Sequence, residues 1–336
     1  MSCLALFPFL QPEMSMRLIS SLFAAALGLT ISTGSTAWAE SYPNKPVNVV
    51  SAFPPTTLDF ILRLVNGPFQ EKFKQALVIE NRPGAGGNIA AEAVARSAPD
   101  GYTLLVTTDT VVTSNPHMYR NLRFKADVEL VPVIYLANTS QTLVCAPSVP
   151  VKSVSDLVTY AKSHDMSYAS GGKGVPGHLA AEMFLAATGL RMTHVPYKGP
   201  NAAVQDMIEG RVQCGFLSTT VAMPYVKSGK LNGLAVTTAK RSPSAMDLPT
   251  VSEAGIPGYE ATFGDLLLAP KGTPPQVLAA LNEAISEVLA QPDTRAKFLA
   301  SGLEFAHNTP EQAAARLHRE SDKWAQVVER LGLRAD

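Results

Sequence analysis

The sequence predicts an α/β protein of two lobes, each built on a mixed or parallel β-sheet, joined by two extended crossings that leave a cleft between them. Three observations carry that prediction. Short β-rich runs alternate with helical patterns through most of the chain, and such alternation calls for parallel strands covered by helices on both faces. The opening third supplies a sheet of only about three strands, too few to stand alone, so the C-terminal segment must complete it. No Pro/Gly/Ser-rich linker separates the parts, so the chain must pass directly from one lobe to the other.

The elements follow in order. Residues 1–39 read as a secretory signal peptide: Arg17 is the only cation before a short apolar run, and Ala37-Trp38-Ala39 forms a small-x-small cleavage site. The run is shorter than a membrane-spanning helix needs, so cleavage after Ala39 and export to the periplasm are expected. Translation can also begin at Met14 or Met16, and no lipobox precedes Cys3. Residues 47–52 then read as a strand. Residues 58–74 form an amphipathic helix with Phe60, Leu64, Phe69 and Phe73 as its apolar positions. A strand at 77–80, a short Ala-rich helix at 88–96 and a strand at 102–107 follow. The unit repeats with helices at 154–162, 178–188 and 202–209 and strands at 167–169, 192–196, 213–217 and 233–237. Thr273-Pro274-Pro275-Gln276 and Thr309-Pro310-Glu311-Gln312 each offer an N-cap Thr, a Pro at the first helical position and a Gln at the third. These signals assign one lobe to 40–137 plus 241–336 and the other to 138–240, with crossings near 136–143 and 240–249. Clefts between such lobes sit at the carboxyl ends of parallel strands, where helix N-termini point.

Composition excludes several classes of function. Lys plus Arg equal Asp plus Glu at 28 each, so the chain has no net charge to draw nucleic acid or an anionic membrane. The six histidines are scattered, and no Cys/His cluster has zinc-like spacing, so neither metal nor cofactor is expected. Beyond the leader, Cys145 and Cys214 can pair in an oxidising compartment, but the sequence favours two buried free thiols. Gly172-Lys173-Gly174-Val175-Pro176-Gly177 matches a dinucleotide-binding glycine pattern, yet the following strand ends in Val195-Pro196-Tyr197 with no acid for a ribose, and Pro176 removes a backbone donor. The same loop, Ser170-Gly171-Gly172, instead suits a carboxylate at a helix start. No Gly-x-Ser-x-Gly elbow is present and no nucleophile is paired with a base, which opposes a cleft enzyme.

Glu80-Asn81-Arg82-Pro83-Gly84-Ala85-Gly86-Gly87-Asn88, Ala98-Pro99-Asp100-Gly101-Tyr102-Thr103-Leu104-Leu105 and His194-Val195-Pro196-Tyr197-Lys198-Gly199 carry a resemblance. With the segments at 42–47, 178–182, 230–242 and 268–274, they make the chain resemble the exported solute receptors of tripartite tricarboxylate transporters, the Bug family. The match runs in order over nearly the whole chain after the leader.

The resemblance implies a periplasmic-binding-protein-like fold of the type II, flytrap kind. It implies a small di- or tricarboxylic or aromatic acid held between the lobes and delivered to membrane permease subunits, by a monomer that needs no cofactor and catalyses nothing. A receptor presenting its ligand to a sensor kinase is the alternative. In the first lobe the implied contacts come from the loop at 53–59, with Thr56, Thr57 and Asp59, and from Thr108. In the second they come from Ser170, Gly171, Gly172, Lys173, Tyr197 and Thr219. Asp59 can equally cap its helix, Tyr197 and His178 are better read as packing residues than as contacts, and Arg82 is expected to be structural. Two departures fall in the implied pocket. Pro55-Thr56-Thr57-Leu58 precedes Asp59 where the family has Gly-Gly followed by Ser or Thr, and Gly264 and Leu266 stand where it has Trp and Gly, with Phe263 nearby. Both reshape the walls toward a larger or less polar ligand, such as an aromatic acid.

Overall fold

The computed structural model describes residues 42–335 apart from 56 and 306, so the expected leader lies outside the described residues. In chain order the elements are β1 (Val47–Ser51), α1 (Thr57–Phe73), β2 (Leu77–Asn81), α2 (Asn88–Ala95), β3 (Thr103–Thr108), β4 (Leu130–Cys145), α3 (Val154–Ala161), β5 (Ser167–Ser170), α4 (Pro176–Thr188), β6 (Thr193–Pro196), α5 (Pro200–Ile208), β7 (Cys214–Ser218), α6 (Thr219–Lys227), β8 (Asn232–Val236), β9 (Thr262–Pro270), α7 (Pro275–Ala290), α8 (Pro292–Ala300) and α9 (Pro310–Leu331), with several single turns between them. The expected strands and helices of the βα units appear within about two residues, the usual uncertainty of an element's end.

The sheet order is β2-β1-β3-β9-β4-β7-β5-β6, with β8 also pairing β4. Strands β1, β2 and β3 are mutually parallel, as are β5, β6 and β7. The mixed character comes from β9 and β4, both antiparallel to their neighbours. Sequence reading had an extended crossing where β4 lies and no strand at β9. Their residues are buried on both faces, so no polar alternation marks them as strands.

β4 belongs to two sheets. Residues 130–140 pair with β9, and 141–145 pair with β7 and β8. The second crossing runs beside the first. Thr237 N–H donates to the Gln141 carbonyl, Ala261 N–H donates to the Thr237 carbonyl, and the Thr237 hydroxyl bridges Gln141 N–H and the Ala261 carbonyl. Between them the segment expected to cross at 240–249 is still tied to the second sheet, because Val236 bridges Thr250 in parallel register.

Cys145 and Cys214, opposite each other on β4 and β7, form a disulfide with Cα atoms 4.0 Å apart. This corrects the expectation of free thiols: only the pairing of two strands far apart in sequence brings them within bonding reach.

Helix phases follow burial. α1 buries Leu58, Ile61, Leu62, Val65 and Phe69, so of the four expected apolar positions only Phe69 lies fully in the core. The cap of α9 is as expected, with Thr309 and Gln312 exchanging side-chain and backbone hydrogen bonds. At α7 the cap shifts to Pro274, while the Thr273 hydroxyl turns back to the Pro270 carbonyl.

Candidate functional site

A cleft of about 630 Å³, open solvent included, lies where the carboxyl ends of β1, β3, β5 and β7 meet. The first residues of α1 (Thr57, Leu58), α4 (Pro176, Gly177) and α5 (Pro200), with Ser218 at the N-cap of α6, all line it. Four helix N-termini therefore converge on one space, and each contributes partial positive charge from its aligned peptide dipoles. No lysine or arginine lines this space among the described residues. Phe53, Leu58, Val175 and Phe216 supply apolar wall, and Thr108, Thr139, Gln141 and Asp265 supply polar groups.

The geometry depends on close backbone approaches. A Cβ on Gly177 would stand 2.2 Å from the Phe216 carbonyl oxygen, so only glycine lets α4 start this close to β7. Asn81 holds the opposite loop: its amide donates to the Phe53 carbonyl at 3.0 Å and to Asp59 Oδ2 at 3.1 Å. Across the cleft the Thr57 and Ser218 hydroxyls meet at 3.3 Å, and the Tyr119 hydroxyl donates to the Lys173 carbonyl. These contacts join residues positioned by the first sheet to residues positioned by the second. A wider outer space adjoins the cleft, lined by Pro54, Gly84, Gly86, Gly172, Lys173, Tyr197 and Lys198.

A family model described as the tripartite tricarboxylate transporter family receptor matches residues 61–333. The chain belongs to this receptor family. It is 31% identical to Protein BugT of Bordetella pertussis over 92% of this chain and 97% of that protein. The structure of Rpa4515 of R. palustris with adipate superimposes with a TM-score of 0.84 at 34% identity, covering 87% of this chain and 99% of that one. MatC (Rpa3494) from Rhodopseudomonas palustris with bound malate gives 0.81 at 30% identity, covering 85% and 100%. The two-lobed, type II-like fold expected from the sequence is the fold of this family.

Among the residues the resemblance nominated in this family member, Thr57, Thr108 and Gly171 line the inner cleft. Gly172, Lys173 and Tyr197 line the outer space, with Lys173 Nζ donating to the Ala335 carbonyl at 3.3 Å. The Tyr197 hydroxyl donates to Asp206 at 2.7 Å, and desolvation together with that carboxylate pushes its pKa up to about 12. Thr56 lies outside the described residues. Four nominations fall behind the wall. Ser170 is fully buried, its hydroxyl shared among Gly172 N–H, the Gly172 carbonyl and His194 Nε2, so it shapes the loop. Thr219 clamps β4 through Ser140 and Thr142, while its neighbour Ser218 faces the cleft. Asp59 is buried against Asn81. Phe263 was expected on the wall; instead it is fully buried and stacked on Trp324 of α9 at 5.8 Å, because that aromatic contact keeps a large apolar ring from water.

Behind the second-sheet loop lies a stack of rings. His194 lies between Tyr168 and His178 at 4.7 and 4.3 Å, and Gly174 N–H donates to His178 Nδ1 at 3.2 Å. Burial, then the His194 and Lys173 charges, pushes the His178 pKa down to about 3; burial and Lys173 push His194 down to about 4. Both rings are thus neutral at ordinary pH, and His178 Nδ1 is free to accept the Gly174 N–H.

Sequence reasoning missed Gln141, Thr139 and Asp265. The first two sit on the strand that had been read only as a crossing. Asp265 had a signal: it is the only charged residue in the run Phe263-Gly264-Asp265-Leu266-Leu267-Leu268-Ala269, and a lone acid in a buried strand is rare without a purpose.

Proposed function

We propose that this chain is an exported receptor that captures a small carboxylate between its lobes and hands it to the membrane permease of a tripartite tricarboxylate transporter. The observation that carries the reading is the convergence of four helix N-termini on a cleft lined, among the described residues, by no cationic side chain. That arrangement attracts one carboxylate through peptide dipoles and backbone donors. The adipate and malate bound to two similar structures support a ligand of this class. The apolar wall from Phe53, Leu58 and Phe216 favours a ligand with an aliphatic or aromatic body over a short, fully polar one.

We place the hinge at residues 139–141 and 261–263 rather than near 240–249, so that 241–260 goes with the second lobe, because Val236 bridges Thr250 and Ala261 N–H reaches the Thr237 carbonyl. Ligand contacts from both sides stabilise the closed state, in which Thr57 meets Ser218, and the permease recognises that state. One chain contains both halves of the site, so a monomer suffices. A thermal-shift and calorimetric screen against C3–C8 dicarboxylates, tricarboxylates and aromatic acids tests this. A saturable shift with one acid class, and no turnover of that acid, is the expected result. No binding to any carboxylate refutes it.

A further inference from the structure

Asp265 does not fit a site that binds only anions. The register of β9 sets it opposite Thr108 at the carboxyl end of β3, and it lines the inner cleft at 2% exposure. Its Oδ2 is buried without a hydrogen-bond partner. No cation and no donor among the described residues reaches its carboxyl, and the nearest charged neighbour is another acid, Asp109, which accepts Gly264 N–H at 2.8 Å and has its own Oδ1 unpartnered. The charges around Asp109 are Arg316, Glu320 and Lys323 on α9, none of which lines the inner cleft. Burial and Asp109 both raise the pKa of Asp265 well above the usual carboxylate range. A buried acid left in this state wants a partner, and among the described residues the space it lines is the cleft.

We propose that Asp265 receives a ligand ammonium group, so that the solute is an amine-bearing carboxylic acid with an apolar body. Its carboxylate sits at the helix N-termini, its ammonium at Asp265 and its carbon chain against Phe53, Leu58 and Phe216. The inference rests on the carboxylate-receptor reading and narrows it. A pure dicarboxylate would have to face a second carboxyl group, tolerable only if Asp265 keeps a proton to donate.

The test uses matched probes that differ in one group: adipate against 6-aminohexanoate, glutarate against 5-aminopentanoate, 4-methylpentanoate against leucine, and 3-phenylpropanoate against phenylalanine. Each is titrated into the intact exported protein and into Asp265→Asn. Asn keeps the shape and can donate, as a protonated acid does, and its oxygen can still accept from an ammonium, but it carries no charge to neutralise one. The expected result is at least tenfold tighter binding of the amine-bearing member of one pair, lost at least tenfold in Asp265→Asn, while the amine-free member is unchanged or improved. If Asp265→Asn does not fold, the wild-type comparison of each pair decides alone. Tight binding of amine-free acids only overturns this inference and leaves the carboxylate reading standing, whereas binding of neither series overturns both.

Discussion

Acid should loosen the second-sheet binding loop through one ring, His178. The ring is 6% exposed, and its Nδ1 accepts Gly174 N–H from within the loop that carries Gly171 and Lys173. Only the neutral ring can accept that bond. The folded-state pKa of about 3 lies below the ordinary 6.5, burial being the largest cause. The sign follows from which state holds the proton. Between those two values the unfolded chain binds a proton that the folded chain refuses, so stability falls as pH falls. The ring's contribution is complete above about pH 6.5 and is lost progressively toward pH 3, at about 1.4 kcal/mol per pH unit, on the order of 5 kcal/mol across the window. Urea unfolding followed by Trp324 fluorescence at pH 7, 6, 5 and 4.5 measures it, with His178→Asn as the reference, since Asn retains an acceptor near Nδ1 and does not titrate. The stability difference between the two proteins should change by about 1.4 kcal/mol per pH unit below 6.5. A difference that stays flat with pH would refute the reasoning.

Asp109 should act in the opposite sense. Its folded-state pKa is raised from 3.8 to about 7, chiefly by burial, so its contribution is full below about pH 4 and is lost as pH rises through 7. Asp109→Asn, which can still accept Gly264 N–H, should therefore gain stability relative to the native protein between pH 5 and 8 in the same assay. Replacing Cys145 and Cys214 together by Ala opens a 69-residue separation and should lower unfolding free energy by about 4 kcal/mol on chain-entropy grounds; an unchanged denaturation midpoint would count against a bridge that constrains the unfolded chain. Gly177→Ala should force α4 away from β7 by more than 1 Å to clear the Phe216 carbonyl. It should cost about 1–3 kcal/mol of stability and at least a tenfold loss of carboxylate affinity by calorimetry, where an exposed helical Gly→Ala change would stabilise.

Local physics made much of this protein legible. The alternation of strand and helix periods, the Thr309 capping box and the order of the motifs were sufficient for the α/β class, for most element positions and for the family. Of the cleft-lining residues, Thr108 and Gly171 follow the ends of expected strands and so could be placed from periodicity, whereas Thr57 came from the family resemblance. Tertiary structure decided everything that depends on pairing between distant segments. β4 and β9 are buried on both faces and lack the alternation that reveals a strand, so their antiparallel register, and with it the place of Gln141, Thr139 and Asp265 at the cleft, came from their partners, although the lone charge of Asp265 in an apolar run was visible in the sequence. The same dependence separates Ser218 from Thr219, adjacent in sequence and alike in chemistry: one hydroxyl faces the cleft and the other clamps β4, because the start of α6 turns one outward and the other onto the strand. It also separates a disulfide from two free thiols, since 69 residues of chain give no hint that Cys145 and Cys214 stand opposite each other on neighbouring strands.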